Sequence, residues 1–187
     1  MFIQNMPADL ADPFSGLVIG IDTTKKGNYL TAQTMAKKSP DWDNQLWDFV
    51  TVPLIENAFF LKHRKTGLVM DCHGGGTTEG TLLDAYMLKD PSPEYPNNQT
   101  WMFQRNPPGT GTFYFIFSIG KGTNMVVDLQ PGGSIDIWPQ KTKSPDWNNQ
   151  QWGFVKEPEK GYLEFINPPK WKEPSSPTLP QPPGFND

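Results

Sequence analysis

Apolar and polar residues alternate along this chain in short stretches. None keeps the i, i+3, i+4 spacing over ten or more residues that an amphipathic helix needs. Three apolar runs are strand-sized: Gly16-Leu17-Val18-Ile19-Gly20, Gly67-Leu68-Val69-Met70-Asp71 and Asn124-Met125-Val126-Val127-Asp128. Each is followed by an alternating segment, at 30–33, 83–86 and 135–138 respectively. Phe59-Phe60-Leu61-Lys62-His63 and Phe113-Tyr114-Phe115-Ile116-Phe117 precede the second and third runs. The pattern predicts short strands in every interval and no long helix.

The strands belong to a repeat. Ser39-Pro40-Asp41-Trp42-Asp43-Asn44-Gln45-Leu46-Trp47 returns nearly unchanged as Ser144-Pro145-Asp146-Trp147-Asn148-Asn149-Gln150-Gln151-Trp152. A third copy, Ser92-Pro93-Glu94-Tyr95-Pro96-Asn97-Asn98-Gln99-Thr100-Trp101, lies between them with one inserted residue. Gln45, Gln99 and Gln150 are thus 54 and 51 residues apart. A unit of this size cannot bury its apolar face alone, so three must share one core. Closing them about a pseudo-threefold axis removes most exposed strand edges, which predicts an all-β chain, a β-trefoil of three four-strand repeats. The repeats fall at about 2–53, 57–107 and 111–158 of a domain covering 1–167. One more strand, 161–166, would stand where a fourth unit begins, and it duplicates the role of Phe2-Ile3-Gln4-Asn5. Pairing alongside the other terminus and pairing across a homodimer interface are both open to it.

Composition sharpens this. The 187 residues suit one core, and 20 Pro with 17 Gly suit tight turns between short strands. Sixteen basic residues against 20 acidic give a net charge of −4, and the basic ones form no stripe, which argues against a nucleic-acid partner. No apolar run approaches the roughly 20 residues of a membrane-spanning helix. The single cysteine, Cys72, permits no intrachain disulfide. No signal peptide is visible, so a native N-terminus here implies a cytoplasmic or non-classically released protein. Residues 168–187 are Pro-rich and read as a poorly packed tail.

Three Q-x-W triplets, each about one repeat apart and each preceded by Asn, resemble the ricin B-chain lectin family over roughly residues 2–166. The resemblance implies a non-enzymatic, carbohydrate-binding lectin for galactose or N-acetylgalactosamine glycans, without a cofactor. It implies structural roles for Gln45, Trp47, Gln99, Trp101, Gln150 and Trp152. It places sugar sites on an Asp ending the second strand, an aromatic on the third, and the Asn before the triplet. The ionised Asp accepts hydrogen bonds from sugar hydroxyls, the ring packs on the sugar's C–H face, and the amide both donates and accepts. The third repeat matches with Asp128, Trp138 and Asn149, with Asp136 as a supporting carboxylate. The second matches with Asp71, Tyr86 and Asn98, with Asp84 in the place of Asp136. The first departs: Gly20 and Gln33 replace the acid and the aromatic, Asn44 remains, and Asp22 comes two residues late. Its site is expected to be dead or altered. Asp128 and Trp138 are expected at the surface, so that removing either would barely move the thermal midpoint.

Other features weigh less. Asp71 and Asp128 have the alternative use of capping the turns after them. Trp42, Tyr95 and Trp147 recur in the loop before the triplet and are read as loop packing. His73-Gly74-Gly75-Gly76 matches a lipase oxyanion loop, but no G-x-S-x-G accompanies it, so a glycine-rich hairpin is the better account. Neither His63 nor His73 has a partner at metal-ligand spacing. The Asn98-Gln99-Thr100 sequon and the P-x-x-P at 177–180 are read as accidental. Trefoils also serve as protease inhibitors or protein-docking modules, through exposed loops; two intact Asp-aromatic-Asn sets favour sugar.

Overall fold

The computed structural model describes residues 1–6, 16–22, 24, 27–36, 41–53, 55–89, 98–105, 113–119, 124–142, 146, 148–157 and 164–168. Its strands fall where the alternation places them. The first repeat holds β1 (Phe2–Asn5), β2 (Leu17–Ile21), β3 (Leu30–Thr34) and β4 (Trp47–Thr51). The second holds β5 (Phe59–His63), β6 (Val69–Cys72), β7 (Thr81–Tyr86) and β8 (Trp101–Arg105). The third holds β9 (Phe113–Ser118), β10 (Met125–Leu129), β11 (Ile135–Pro139) and β12 (Trp152–Val155). Among the described residues the only helical pieces are single 3-10 turns, as at Asp41–Asn44 and Asn148–Gln150. None is long and apolar enough to cross a membrane. This is the expected β-trefoil.

The first and fourth strands of the repeats make the barrel. β12 pairs with β1 and β9, β9 with β8, β8 with β5, and β5 with β4. The ring closes where the Met1 and Trp47 main chains exchange hydrogen bonds of 3.0 and 2.8 Å. The middle strands form three hairpins, β2–β3, β6–β7 and β10–β11, that cap one end. They touch one another through Tyr29 and Asp84, Leu82 and Asp136, and Thr31 and Ser134. The cap's turns need left-handed backbone. At Gly74 and Gly75, φ is 64° and 74°, which only glycine adopts freely. That accounts for His73-Gly74-Gly75-Gly76 as hairpin chemistry.

The two candidates for one strand position prove to be neighbours. The opening strand β1 takes the barrel position between β12 and β2. Phe165–Ile166, β13, lies on β12 as well, through Phe154 and Val155. Both candidate strands therefore pair within one chain. Residues 161–163 of the expected strand, and 169–187 of the expected tail, lie outside the described residues.

Trp47, Trp101 and Trp152 are wholly buried. Each indole N–H donates to a main-chain carbonyl of its own repeat: Ile19 at 2.9 Å, Met70 at 3.2 Å and Val127 at 2.9 Å. An indole buried without such an acceptor would forfeit a hydrogen bond, so the partner is part of why tryptophan fits there. Two residues beyond each tryptophan a phenylalanine reaches the axis. Phe49, Phe103 and Phe154 meet edge to face, 5.3, 4.9 and 5.1 Å between centroids. Three copies of one sequence unit thus close on themselves at the barrel's base.

Candidate functional site

The tryptophan carbonyl acceptors lie one residue before Gly20, Asp71 and Asp128, so each indole fixes the start of a candidate site. The glutamine two residues before each tryptophan secures the other side. Gln45, Gln99 and Gln150 accept through Oε1 from the main-chain N–H of Ala36, Lys89 and Lys141, at 2.9, 2.9 and 2.8 Å. Through Nε2 they donate to the carbonyls of Thr34, Met87 and Pro139, at 2.9, 2.8 and 3.0 Å. One glutamine side chain therefore ties the end of a third strand to the turn before a fourth, identically three times.

The remaining N–H of each glutamine points at the site. In the second repeat Gln99 Nε2 donates to Asp71 Oδ2 at 2.7 Å, and Asn98 Nδ2 donates to Asp71 Oδ1 and, at 2.7 Å, to the Cys72 carbonyl. In the third, Gln150 Nε2 donates to Asp128 Oδ2 at 2.8 Å, and Asn149 Nδ2 to Asp128 Oδ1 at 2.6 Å and to the Leu129 carbonyl at 3.0 Å. Asp and Asn are thus brought together as expected, with the glutamine joining them from beneath. The aromatics stand beside them on equivalent register positions, Tyr86 opposite Val69 and Trp138 opposite Val126. Tyr86 is half exposed, and Trp138 is half-buried with its ring edge near Gly80.

One expectation fails. Asp128 is 1% exposed and not a surface group, and its counterpart Asp71 is as deeply buried, while Trp138 is half-buried. Burial pushes the Asp128 carboxyl above its ordinary range, against the opposing Gln150 bond and the Lys141 charge. Removing such a carboxylate would strand several buried donors, so its loss must affect folding. Residue order alone does not mark how deeply the glutamine draws the acids in.

Asp84 and Asp136 stand directly across the hairpin from Asp71 and Asp128. Burial raises both carboxyls, Asp136 to about 6, with the facing Asp128 adding to the effect. Gln130 Nε2 bridges Asp128 and Asp136, 3.1 Å from each. Asp84 pairs with His73 Nδ1 at 2.7 Å, and His73 Nε2 approaches the Tyr29 hydroxyl at 3.4 Å.

The first repeat fills its own site. A Cβ at Gly20 would lie 2.6 Å from the Gln33 carboxamide carbon, so that side chain occupies the acid's room. Gln33 Oε1 accepts from Gln45 Nε2 at 3.2 Å, as the carboxylates do elsewhere. Its Nε2 donates to the Ile21 carbonyl at 3.2 Å, the bond made elsewhere by Asn98 and Asn149. Asp22 is engaged in its own turn, accepting from Thr24 N and Oγ1 at 2.9 and 2.6 Å. Trp42 packs edge-on against Phe2 and donates to the Ala36 carbonyl at 2.6 Å, as loop packing requires. Tyr95 and Trp147 lie outside the described residues.

Two site residues escape a reading of the sequence, Lys89 and Lys141. Lys89 Nζ is 2.8 Å from Asp71 Oδ2 and 2.9 Å from Asn98 Oδ1. Lys141 Nζ is 2.7 Å from Asn149 Oδ1 and 3.5 Å from Asp128 Oδ2. Aligning the repeats on their glutamines, with the inserted residue allowed for, would have placed them together.

A family model described as "Ricin-type beta-trefoil lectin domain-like" matches residues 43–138. No curated protein matches the chain. Among solved structures, the designed threefold-symmetric protein ThreeFoil is similar at 18% identity and TM-score 0.58, over 80% of this chain and 95% of its own. A Polyporus squamosus lectin, bound to the epitope Neu5Aca2-6Galb1-4GlcNAc, is 19% identical with TM-score 0.57, over 82% of this chain and 50% of its own. The Macrolepiota procera ricin B-like lectin, in complex with lactose, is 18% identical with TM-score 0.54, over 80% of this chain and 91% of its own. At these identities the structures speak to the fold alone.

Proposed function

Because the chain belongs to the ricin-type β-trefoil lectin-like family, we propose that it is a carbohydrate-binding lectin with two working sites, in the second and third repeats. The family's fold points to carbohydrate binding; the assignment to particular residues is our reading. The observation that carries it is the contrast within the molecule. Two repeats keep an aromatic beside an Asp-Asn pair, Tyr86 with Asp71 and Asn98, and Trp138 with Asp128 and Asn149. The first fills the same space with Gln33. Asp84 and Asp136 face the acids from across each hairpin.

The aromatic presents a flat apolar face and the Asn a donor and an acceptor, which suits a pyranose with one apolar face and polar edges. Galactose or N-acetylgalactosamine is the proposed terminal sugar, as the resemblance to the ricin B-chain lectins implies. Shallow single sites bind weakly, so two on one chain gain by engaging one multivalent surface. We read the chain as a binding module and not an enzyme. Immobilised glycans test this: galactose-terminated chains should retain the protein and mannose-terminated ones should not. Failure to bind any glycan would leave the protein-docking reading in its place.

A further inference from the structure

The three hairpins of the cap meet edge to edge, and each meeting lies beside a candidate site. Leu82 is the register partner of Asp136, Tyr29 of Asp84 and Ser134 of Thr31. Two residues further along each antiparallel pairing, Gly80 stands beside Trp138, Gly27 beside Tyr86 and Gly132 beside Gln33. Register partners in a sheet share a face, so the face that carries one repeat's site continues onto the hairpin of another. Each site therefore takes a side wall from a neighbouring repeat, and the walls differ.

Beside Tyr86 the wall is closed. A Cβ at Gly27 would lie 2.9 Å from the Tyr29 ring, so that ring occupies the room over the glycine. Tyr29 is half-buried, with its ring centroid 5.1 Å from that of His73 and its hydroxyl 3.4 Å from His73 Nε2. Beside Trp138 the wall is open. Gly80 is exposed, and a Cβ there would lie 3.8 Å from Trp138 Cζ3, an ordinary contact distance. Its φ of 76° favours glycine, which keeps the room next to the ring free of a side chain. Leu82 borders that room and is 39% exposed, although its partner Asp136 is buried. Diagonal neighbours on one sheet face are about 7–8 Å apart, close enough for one methyl group to touch both. The third site thus adjoins an apolar notch with a tryptophan edge, a glycine floor and a leucine wall.

We propose that Leu82, across Gly80 from Trp138, receives the acetamido methyl of an N-acetylated sugar bound at the third site, and that the second site, where Tyr29 fills the equivalent room, has no such notch. The inference rests on the lectin reading and deepens it: the two sites are not copies, and a residue of the second repeat sets the specificity of the third. A hydroxyl placed in the notch would give up water without gaining a partner, because neither the Trp138 ring edge nor Leu82 offers a hydrogen bond. A methyl group gives up nothing and leaves water. N-acetylgalactosamine should accordingly be preferred to galactose at the third site and not at the second.

Calorimetric titrations of the whole chain with methyl galactoside and methyl N-acetylgalactosaminide test this one site at a time. In Tyr86→Ala, which keeps the third site, the acetamido sugar should bind about fourfold more tightly, the worth of one methyl group removed from water. Adding Leu82→Ser, which copies Ser134 at the equivalent place, or the bulkier Leu82→Gln should bring that ratio to about one. In Trp138→Ala, which keeps the second site, the two sugars should bind alike whatever stands at 82. Equal binding of the two sugars at the third site, a preference that survives both Leu82 variants, or the same preference at the second site would each overturn the proposal. A purely structural Leu82 would lower the thermal midpoint on substitution without moving the ratio, which also overturns it. If the wild type binds neither sugar nor any other glycan, the lectin reading itself has failed and the notch falls with it. Binding of both sugars in a flat ratio leaves that reading standing and removes only the notch.

Discussion

The first and third repeats share a scaffold and differ in what they hold at the end of it. Trp47 and Trp152 donate to equivalent carbonyls, and Gln45 and Gln150 lock equivalent turns. In the third repeat the glutamine's last N–H meets a buried carboxylate flanked by Asn149, Lys141 and Trp138. In the first it meets the neutral carboxamide of Gln33, folded into the gap beside Gly20. The acceptor is therefore required by the fold, while its charge is not. Gln33 keeps the scaffold bond without leaving an open, charged site.

The largest effect should fall on the shared part. Trp47→Ala and Trp152→Ala should each lower stability by about 3–5 kcal/mol in denaturant unfolding, the usual range for emptying a large buried aromatic site. Similar losses are expected although only one of the two repeats has a proposed site. A much smaller loss in the first repeat would show that its scaffold has decayed together with its site.

Asp128→Ala comes next. It strands buried or half-buried donors of Gln150, Asn149 and Gln130 and should cost about 2–3 kcal/mol. Gln33→Ala, the corresponding deletion in the first repeat, removes a neutral acceptor from a half-buried position and should cost about 1 kcal/mol. Equal losses would mean that the third repeat's carboxylate charge contributes nothing to its network.

A smaller effect separates the repeats by pH. Asp136 holds its proton in the folded chain up to about pH 6, whereas an unperturbed Asp releases it near 3.8. Between those values the folded state binds more protons than the unfolded one, so Asp136 adds stability as pH falls through that window. Buried His63, whose pKa burial lowers, acts in the opposite direction in both proteins and cancels in the comparison. Asp136→Asn should accordingly stabilise the chain at pH 7.5, and its advantage should disappear by pH 4. The corresponding residue of the first repeat is Thr31, which does not titrate, so Thr31→Val should show no such crossing.

Much of this architecture can be read directly from residue order. The resemblance carried by the three Q-x-W triplets implies a structural role for the three tryptophans, and all three are buried in the core. The twelve strands follow from alternation over runs too short for helices. What stayed hidden depends on how far side chains reach. Gly20 and Gln33 look like two independent departures, yet they lie diagonally across one hairpin and compensate each other. Asp128 looks like an exposed strand end, yet Gln150 draws it inward. Lys89 and Lys141 sit in turns of unequal length, where ordinary solvated lysines are common. Their role appears only when Nζ is traced onto the Asn and Asp.

The central claim is that two of three equivalent positions bind sugar, and counting sites tests it most directly. Calorimetric titration with a galactoside should give two sites per chain. It should give one in Trp138→Ala and one in Tyr86→Ala, with the thermal midpoint of each variant close to wild type because both rings are partly exposed. Three sites, or two sites that survive the loss of both rings, would contradict the account.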